Sequence, residues 1–152
     1  MEALVEYVFG TYPSWSHLVV RIALGVIFFA HGAQKTFGWF GGHGLSATIS
    51  GFRQINVPPA ATALAAFTEC FGGLALIVGV LARPTAIGLI LVMLVAIAKV
   101  HGKHGFFLNF SMTPGKGHGY EFNLALIALA LSILIGGAGA FSIDRLIAPF
   151  GG

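Results

Sequence analysis

The chain has 152 residues, of which 57% are hydrophobic and only 9% are charged, with a net charge of +3. Soluble globular domains carry roughly 25% charged residues. This composition and a mean hydropathy of +0.89 therefore predict an integral membrane protein. The basic residues are dispersed rather than clustered, which argues against a nucleic-acid-binding function. Cys70 is the single cysteine, so an internal disulfide and a CxxC redox pair are both excluded.

Apolar runs separated by short polar segments predict an all-α fold, an integral membrane four-helix bundle with short interfacial helices. Each run is close to the roughly 20 residues that cross a hydrocarbon core. The predicted spans cover about residues 17–37, 60–82, 84–101 and 121–140 of a single domain, residues 1–152. Residues 1–16 are too short to span, and we expect them to form a short helix on the membrane surface.

The first predicted span has a distinct polar and small face. Arg21, Gly25, Phe28, Gly32 and Lys35 recur at helical spacing and share this face, which we expect to point into the bundle. Arg21 and Lys35 lie near enough to the helix ends for their charged groups to reach the membrane interface.

An interfacial helix is predicted over about residues 45–55, between the first and second spans. Its apolar stripe of Leu45, Ile49, Phe52 and Ile55 lies opposite a polar face, as in helices that lie on a membrane.

The second predicted span carries one acidic residue, Glu69, near its middle. An ionisable group at this depth is costly when it faces lipid, so we expect Glu69 to face protein. The residues on its side of the helix are mostly small, which favours close helix packing there. They are Thr62, Ala65, Gly72, Gly73 and Leu76.

Residues 102–120, after the third span, are rich in glycine and contain Phe106, Phe107 and Phe110. We expect an ordered loop or a short re-entrant element that places apolar side chains in the interface. In the tail, Ser142 is a plausible cap for a short helical turn.

Antiparallel packing places the ends of spans one and three beside the starts of spans two and four. Glu69 would lie roughly 15 Å beneath this level by helical rise. A half-membrane pocket, open on the loop side, is therefore predicted. Its candidate catalytic residues, which would exchange protons, are Glu69, His31 and His101. Its candidate substrate-binding residues are Lys35, Lys99, Glu121, Gln34 and Phe107.

These residues also have purely structural interpretations. Glu69 can form a buried ion pair with Lys35 or Lys99 that only stabilises the bundle. His31 can donate to a carbonyl and fill space, and Cys70 is expected to pack as a small apolar residue. No metal site is predicted, because His101 and its neighbour three residues later have no clear third ligand.

Several segments carry a family resemblance through their order and spacing. They are RIALGVIFFAHGAQKTFG (residues 21–38), ECFGGLALIVGVLARPTAIGL (69–89), AKVHGKHGFF (98–107), YEFNLALIALAL (120–131) and FSIDRL (141–146). The chain resembles the DoxX family of small four-span membrane proteins, related to the small subunit of a thiosulfate:quinone oxidoreductase. Positions that match the recurrent polar pattern of the family are Arg21, Lys35, Glu69, Arg83, His101 and Glu121.

The resemblance implies a multi-pass protein of the bacterial inner (plasma) membrane, linked to redox or stress physiology and to quinones or sulfur compounds. It also implies that both termini are cytoplasmic and that the pocket faces outward. Positive-residue counting alone is nearly balanced between the two sides.

Three functions remain open at this stage. The first is a subunit of a quinone-linked oxidoreductase, in which Glu69 and His31 or His101 exchange protons with the quinone. A partner would then supply flavin, haem or metal. The second is a proton or small-solute carrier, which with so few spans would need a homo-oligomer. The third is a non-catalytic membrane scaffold for a soluble redox enzyme. A b-type haem between His31 and His101 is not favoured by their positions on the helical wheel.

Overall fold

The computed structural model describes residues 2–148. Residues 1 and 149–152, which the predicted domain includes, lie outside the described part. Within the described residues the chain forms seven α-helices, of which the fifth is continued by two short turns of other helix types. The α-helices are α1 (Glu2–Phe9), α2 (Trp15–Phe37), α3 (Gly44–Arg53), α4 (Pro59–Val78), α5 (Ala82–Ala96), α6 (Glu121–Gly136) and α7 (Ile143–Ile147). A π-helical turn (Ile97–His101) and a 3₁₀ turn (Gly102–His104) continue α5.

Three helices are long and apolar enough to cross a membrane: α2, α4, and α5 together with its continuation to His104. The prediction of an all-α membrane helical bundle is confirmed. Helix α6 is apolar but has only 16 residues. It rises about 24 Å, somewhat less than the roughly 30 Å of a hydrocarbon core. That α6 forms a fourth span therefore stays a prediction.

Two helices end earlier than their apolar composition suggests. Helix α4 ends at Val78 because Gly79 adopts a left-handed conformation (φ 74°) and donates its N–H to carbonyls of the last turn. Helix α6 ends at Gly136 because Gly137 also has a positive φ of 79°. Composition stays apolar past both glycines, so hydropathy alone extends these helices too far.

The predicted interfacial helix corresponds to α3. Leu45, Ile49 and Phe52 are half-buried, whereas Ser46 and Ser50 on the other face are exposed. This is the pattern expected of an amphipathic helix that lies against the bundle.

Helices α2 and α4 pack antiparallel with their backbones in direct contact. Gly32 lies against the backbone of Cys70, and Gly73 lies against the backbone of Phe29 and the carbonyl oxygen of Gly25. A Cβ atom at Gly32 or Gly73 would overlap backbone atoms, so only glycine permits this approach. The small-residue face predicted for the second span is thus a close helix contact.

The apolar core extends from Ala82 and Ile133, near the end of the bundle that holds α1 and α7, to Met93 and Leu126, nearer the loop side. It is made by α2, α4, α5 and α6, and its fully buried members are apolar. They include Leu24, Leu76, Ala82, Ala86, Leu89 and Ile133.

Arg21 lies at the end of this core nearest the segment after α6 and is fully buried. Its guanidinium group donates hydrogen bonds of 2.6–3.3 Å to five backbone carbonyls. These belong to Leu76, Ile77, Ala138, Ala140 and Phe141. The prediction that the face carrying Arg21 points into the bundle is confirmed, and the alternative, in which Arg21 extends to the interface, does not occur. The last carbonyls of α4 and the non-helical segment after α6 lack helical partners, and the five donors of one arginine satisfy them.

The chain termini are tied to this same end of the bundle. The Asp144 carboxylate is buried and accepts hydrogen bonds of 2.8 Å from the N–H groups of Leu81 and Ala82 at the start of α5. Burial raises the pKa of Asp144, although these two N–H groups act in the opposite direction. Near the other terminus, Thr11 accepts a 2.7 Å hydrogen bond from the N–H of Gly139.

Replacing Arg21 with lysine is expected to destabilise the protein by about 3 kcal/mol or more, because buried carbonyls lose charge-assisted hydrogen bonds. Thermal unfolding of the full chain in detergent measures this. Arg53→Lys, at an exposed position of α3, is the matched control and should leave the unfolding temperature unchanged. Equal unfolding temperatures for Arg21→Lys and the wild type would contradict the role assigned to Arg21.

Because α1 and α7 pack at one end of the bundle, we expect both termini on the same side of the membrane. Ala3→Cys and Ala148→Cys should each react with an impermeant maleimide from one and the same side of sealed vesicles. Cys70 is fully buried and should not interfere. Labelling of the two positions from opposite sides would show that the number of crossings is odd.

Candidate functional site

The central feature of the site is an ion pair between α2 and α4. Lys35 Nζ donates to Glu69 Oε1 at 2.6 Å and to Oε2 at 2.5 Å. The predicted contact of Glu69 with Lys35 is therefore confirmed, and the carboxylate faces the bundle interior. The close approach at Gly32, one turn before Lys35, brings the lysine within reach of the carboxylate.

The two partners differ in their access to the surroundings. The side chain of Glu69 is 2% exposed, whereas that of Lys35 is 31% exposed. The side chain of Lys35 is therefore partly accessible from outside the bundle, whereas that of Glu69 is enclosed. The pair connects the bundle surface to a buried acid.

A depression of about 280 Å³ lies between the end of α2 and the start of α3, and Lys35 is one of the residues that line it. Its lining combines backbone of a glycine turn with short polar side chains. It consists of Gln34, Lys35, Gly41, Gly42, His43, Ala47 and Thr48.

Hydrogen bonds hold the walls of this depression in place. Gln34 Nε2 donates to the carbonyl oxygen of Phe40 at 3.1 Å, and Thr48 Oγ1 donates to the carbonyl oxygen of Lys35 at 3.2 Å. Gly42 packs directly on the backbone of Gln34, where a side chain would not fit. These contacts attach α3 to the end of α2 and keep Lys35 at the base of the depression.

His31 is exposed although it lies on a helix face that is buried further down. Leu24 and Phe28, seven and three residues earlier on that face, are 0% and 2% exposed. Within residues 2–148, no neighbouring helix covers the side chain of His31, in contrast to Leu24 and Phe28 on the same face. His31 precedes Lys35 by one helical turn and lies on the same side of α2, but it is not among the residues that line the depression.

A second group of predicted residues orders the loop after α5. Glu121 Oε1 accepts a 2.7 Å hydrogen bond from the N–H of Leu108. His101 Nδ1 donates to the carbonyl oxygen of His118 at 3.0 Å. The expectation of an ordered loop is confirmed, and Glu121 and His101 contribute to it.

The structure thus brings together only part of the predicted set. Gln34 and Lys35 line the depression, and Glu69 lies behind Lys35. Lys99 is exposed on the π-helical turn, and the side chain of Phe107 is 72% exposed. A single pocket that contains all of these residues stays a prediction.

Sequence reasoning does not identify Thr48 and His43, because it predicts only an interfacial helix over residues 45–55 and a solvated loop histidine at His43. It also missed Asn123, which is 6% exposed and donates to the Met93 sulfur at 3.3 Å. An asparagine inside an apolar run was the signal that could have revealed it.

The chemistry available here is proton transfer and the binding of a polar group. A carboxylate hydrogen-bonded to an ammonium group can exchange a proton with it without a large rearrangement. A ligand oxygen that enters the depression would compete with Glu69 for Lys35. Among residues 2–148, no three His, Cys, Asp or Glu side chains are grouped so as to hold a metal ion.

Comparison with known proteins gives one match. A family model described as DoxX matches residues 16–102, just over half of the chain. No curated protein and no solved structure matches the chain.

The unequal exposure of the ion pair predicts unequal mutational costs. Lys35→Gln leaves a buried carboxylate without its cation and should destabilise the protein by about 2–4 kcal/mol. Glu69→Gln leaves a lysine that water can reach, so its cost should be smaller. The double variant should recover part of the loss seen in Lys35→Gln. Thermal unfolding of the wild type, the two single variants and the double variant measures these losses of stability. Lys103→Gln, at an exposed position, is the control. Equal losses for the two single variants would contradict this account.

Proposed function

We propose, from the premise that this chain belongs to the DoxX family, that it is a membrane subunit that handles a small redox-active molecule. The proposed ligand is a quinone or an oxidised sulfur compound, bound in the depression beside Lys35. Glu69, and His31 at the edge of the site, exchange protons with it. We place the protein in a plasma (inner) membrane, in complex with a protein partner or a further copy of itself.

One observation carries this proposal: a half-exposed lysine joins an open depression to a fully buried carboxylate. An ion pair that served stability alone would need no access from a depression. A ligand oxygen can instead approach Lys35 and draw on the proton shared by the pair.

The proposed chemistry divides between this chain and a partner. Reduction of a quinone to a quinol takes up two electrons and two protons. The electrons come from a partner subunit that carries flavin, haem or metal. Lys35 and Gln34 orient the ligand, and Glu69 passes protons through Lys35. Lys99 and His101 lie on the π-helical turn after α5, Phe107 lies in the following loop, and Glu121 begins α6. The site proposed here does not require these four residues.

The part of the bundle between Glu69 and Arg21 is apolar, which favours ligand binding over transport as the function. Below Glu69, Leu24, Leu76 and Leu89 are fully buried, and the donors of Arg21 are engaged by carbonyls. A carrier needs a polar route that opens alternately to both sides. The described side chains support access from the loop side.

The test compares folding and activity of Glu69→Gln in the same membranes. The variant keeps the shape of the side chain but cannot titrate. We expect an unfolding temperature close to that of the wild type, and reduction of decylubiquinone or menadione slowed ~100-fold, as for loss of a general acid–base group. The same quinone reduction is measured in parallel with thiosulfate as the electron donor.

Full turnover by a stable Glu69→Gln protein would exclude the proton role. A joint loss of folding and activity would instead assign Glu69 to the stability of a scaffold. Arg53→Lys, on the exposed face of α3, serves as the control for activity.

A further inference from the structure

Residues 97–120, the segment from the π-helical turn to the start of α6, carry an unusual surface. They contain three lysines and three histidines and no Asp or Glu. All three lysines, Lys99, Lys103 and Lys116, are exposed. Beside them, Phe107, Phe110 and Met112 are 72%, 82% and 74% exposed. We call this combination the aromatic–lysine surface.

The apolar side chains are held outward by an ordered backbone. The N–H groups of Gly119 and Glu121 donate to the carbonyl oxygens of Phe107 and Phe106 at 3.1 and 2.9 Å. Inside the loop, the buried Asn109 donates to the carbonyl oxygens of Thr113 and Lys116. The loop therefore cannot simply fold its phenylalanines inward, and their exposure is a property of its folded form.

Two features of the surface indicate what covers it. The segment directly continues α5, whose outward side chains Leu91, Leu94 and Val95 are exposed, as expected of a helix that faces lipid. Its net charge is positive, because its three lysines outnumber the one adjoining carboxylate, Glu121, whose Oε1 accepts a hydrogen bond from the N–H of Leu108. Aromatic side chains with lysines are the composition that favours the boundary between acyl chains and anionic headgroups.

We propose that the aromatic–lysine surface docks into the headgroup layer of an anionic membrane. Phe107, Phe110 and Met112 enter the boundary of the acyl chains, and Lys103 and Lys116 bind lipid phosphates. This assignment is independent of the ligand proposed for the Lys35–Glu69 pair.

The experiment places the full chain in nanodiscs of phosphatidylcholine, alone or mixed with phosphatidylglycerol. A nitrobenzoxadiazole label is attached at Ser111→Cys, next to Phe110, while the native Cys70 is fully buried and stays unlabelled. Ser50→Cys on the exposed face of α3 is the matched reference. We expect label 111 to be quenched by doxyl lipids and protected from iodide, more strongly than label 50.

A second comparison tests the lysines. Doxyl-phosphatidylglycerol should quench label 111 several-fold more than doxyl-phosphatidylcholine, since each lysine near an anionic surface strengthens association about five-fold. Lys103→Gln with Lys116→Gln should bring this ratio close to one without changing the unfolding temperature. Phe107→Ser with Phe110→Ser should instead restore access of iodide to the label.

Two results would overturn the proposal. Iodide access at label 111 equal to that at label 50, in both lipid mixtures, would show a surface that faces water and is free for a protein partner. Equal quenching by the two doxyl lipids in the wild type would remove the role of anionic headgroups.

Discussion

Backbone carbonyls that lie away from water have to be satisfied by the protein itself, and in this molecule one arginine meets that requirement for five of them. Because Arg21 satisfies the last turn of α4, that helix can stop at Gly79 and turn directly into α5. Because it also satisfies the segment after α6, the chain can leave helical geometry at Gly137 without exposing polar backbone to an apolar environment. The end of the bundle that holds both chain termini is sealed as a result.

The same helix carries a second cation with the opposite character. Lys35, near the other end of α2, is paired with one carboxylate and remains partly exposed. Backbone contact between α2 and α4 at Gly32 and Gly73 makes both arrangements possible, since it places the α2 side chains within reach of α4. The α2–α4 pair thus has a sealed end organised by Arg21 and an open end organised by Lys35 and Glu69.

The features that suggest activity all lie at the open end. The depression beside Lys35, the exposed His31 and the aromatic–lysine surface are on the loop side of the bundle. Docking of that surface on a membrane would place the opening of the bundle close to the headgroup layer. A ligand with a polar head and an apolar tail, such as a quinone, could then approach Lys35 from the membrane. The lipid proposal and the redox proposal are compatible, although neither depends on the other.

Periodicity in the sequence determined which side of each main helix faces inward. The shared face of Arg21, Gly25, Phe28 and Gly32 is buried, α3 is amphipathic in the predicted sense, and Glu69 points into the bundle. Only the tertiary structure decided which polar residues meet. Gly32 lies beside Cys70 and Thr36 donates to the carbonyl oxygen of Ala66, so the first part of α4 extends beyond the end of α2. This axial offset pairs Glu69 with Lys35, whereas Lys99 is exposed on the π-helical turn after α5. A helical repeat specifies the angle of a side chain around the axis of its helix. The axial offset between two helices depends instead on backbone contacts and glycine turns, which hydropathy does not record.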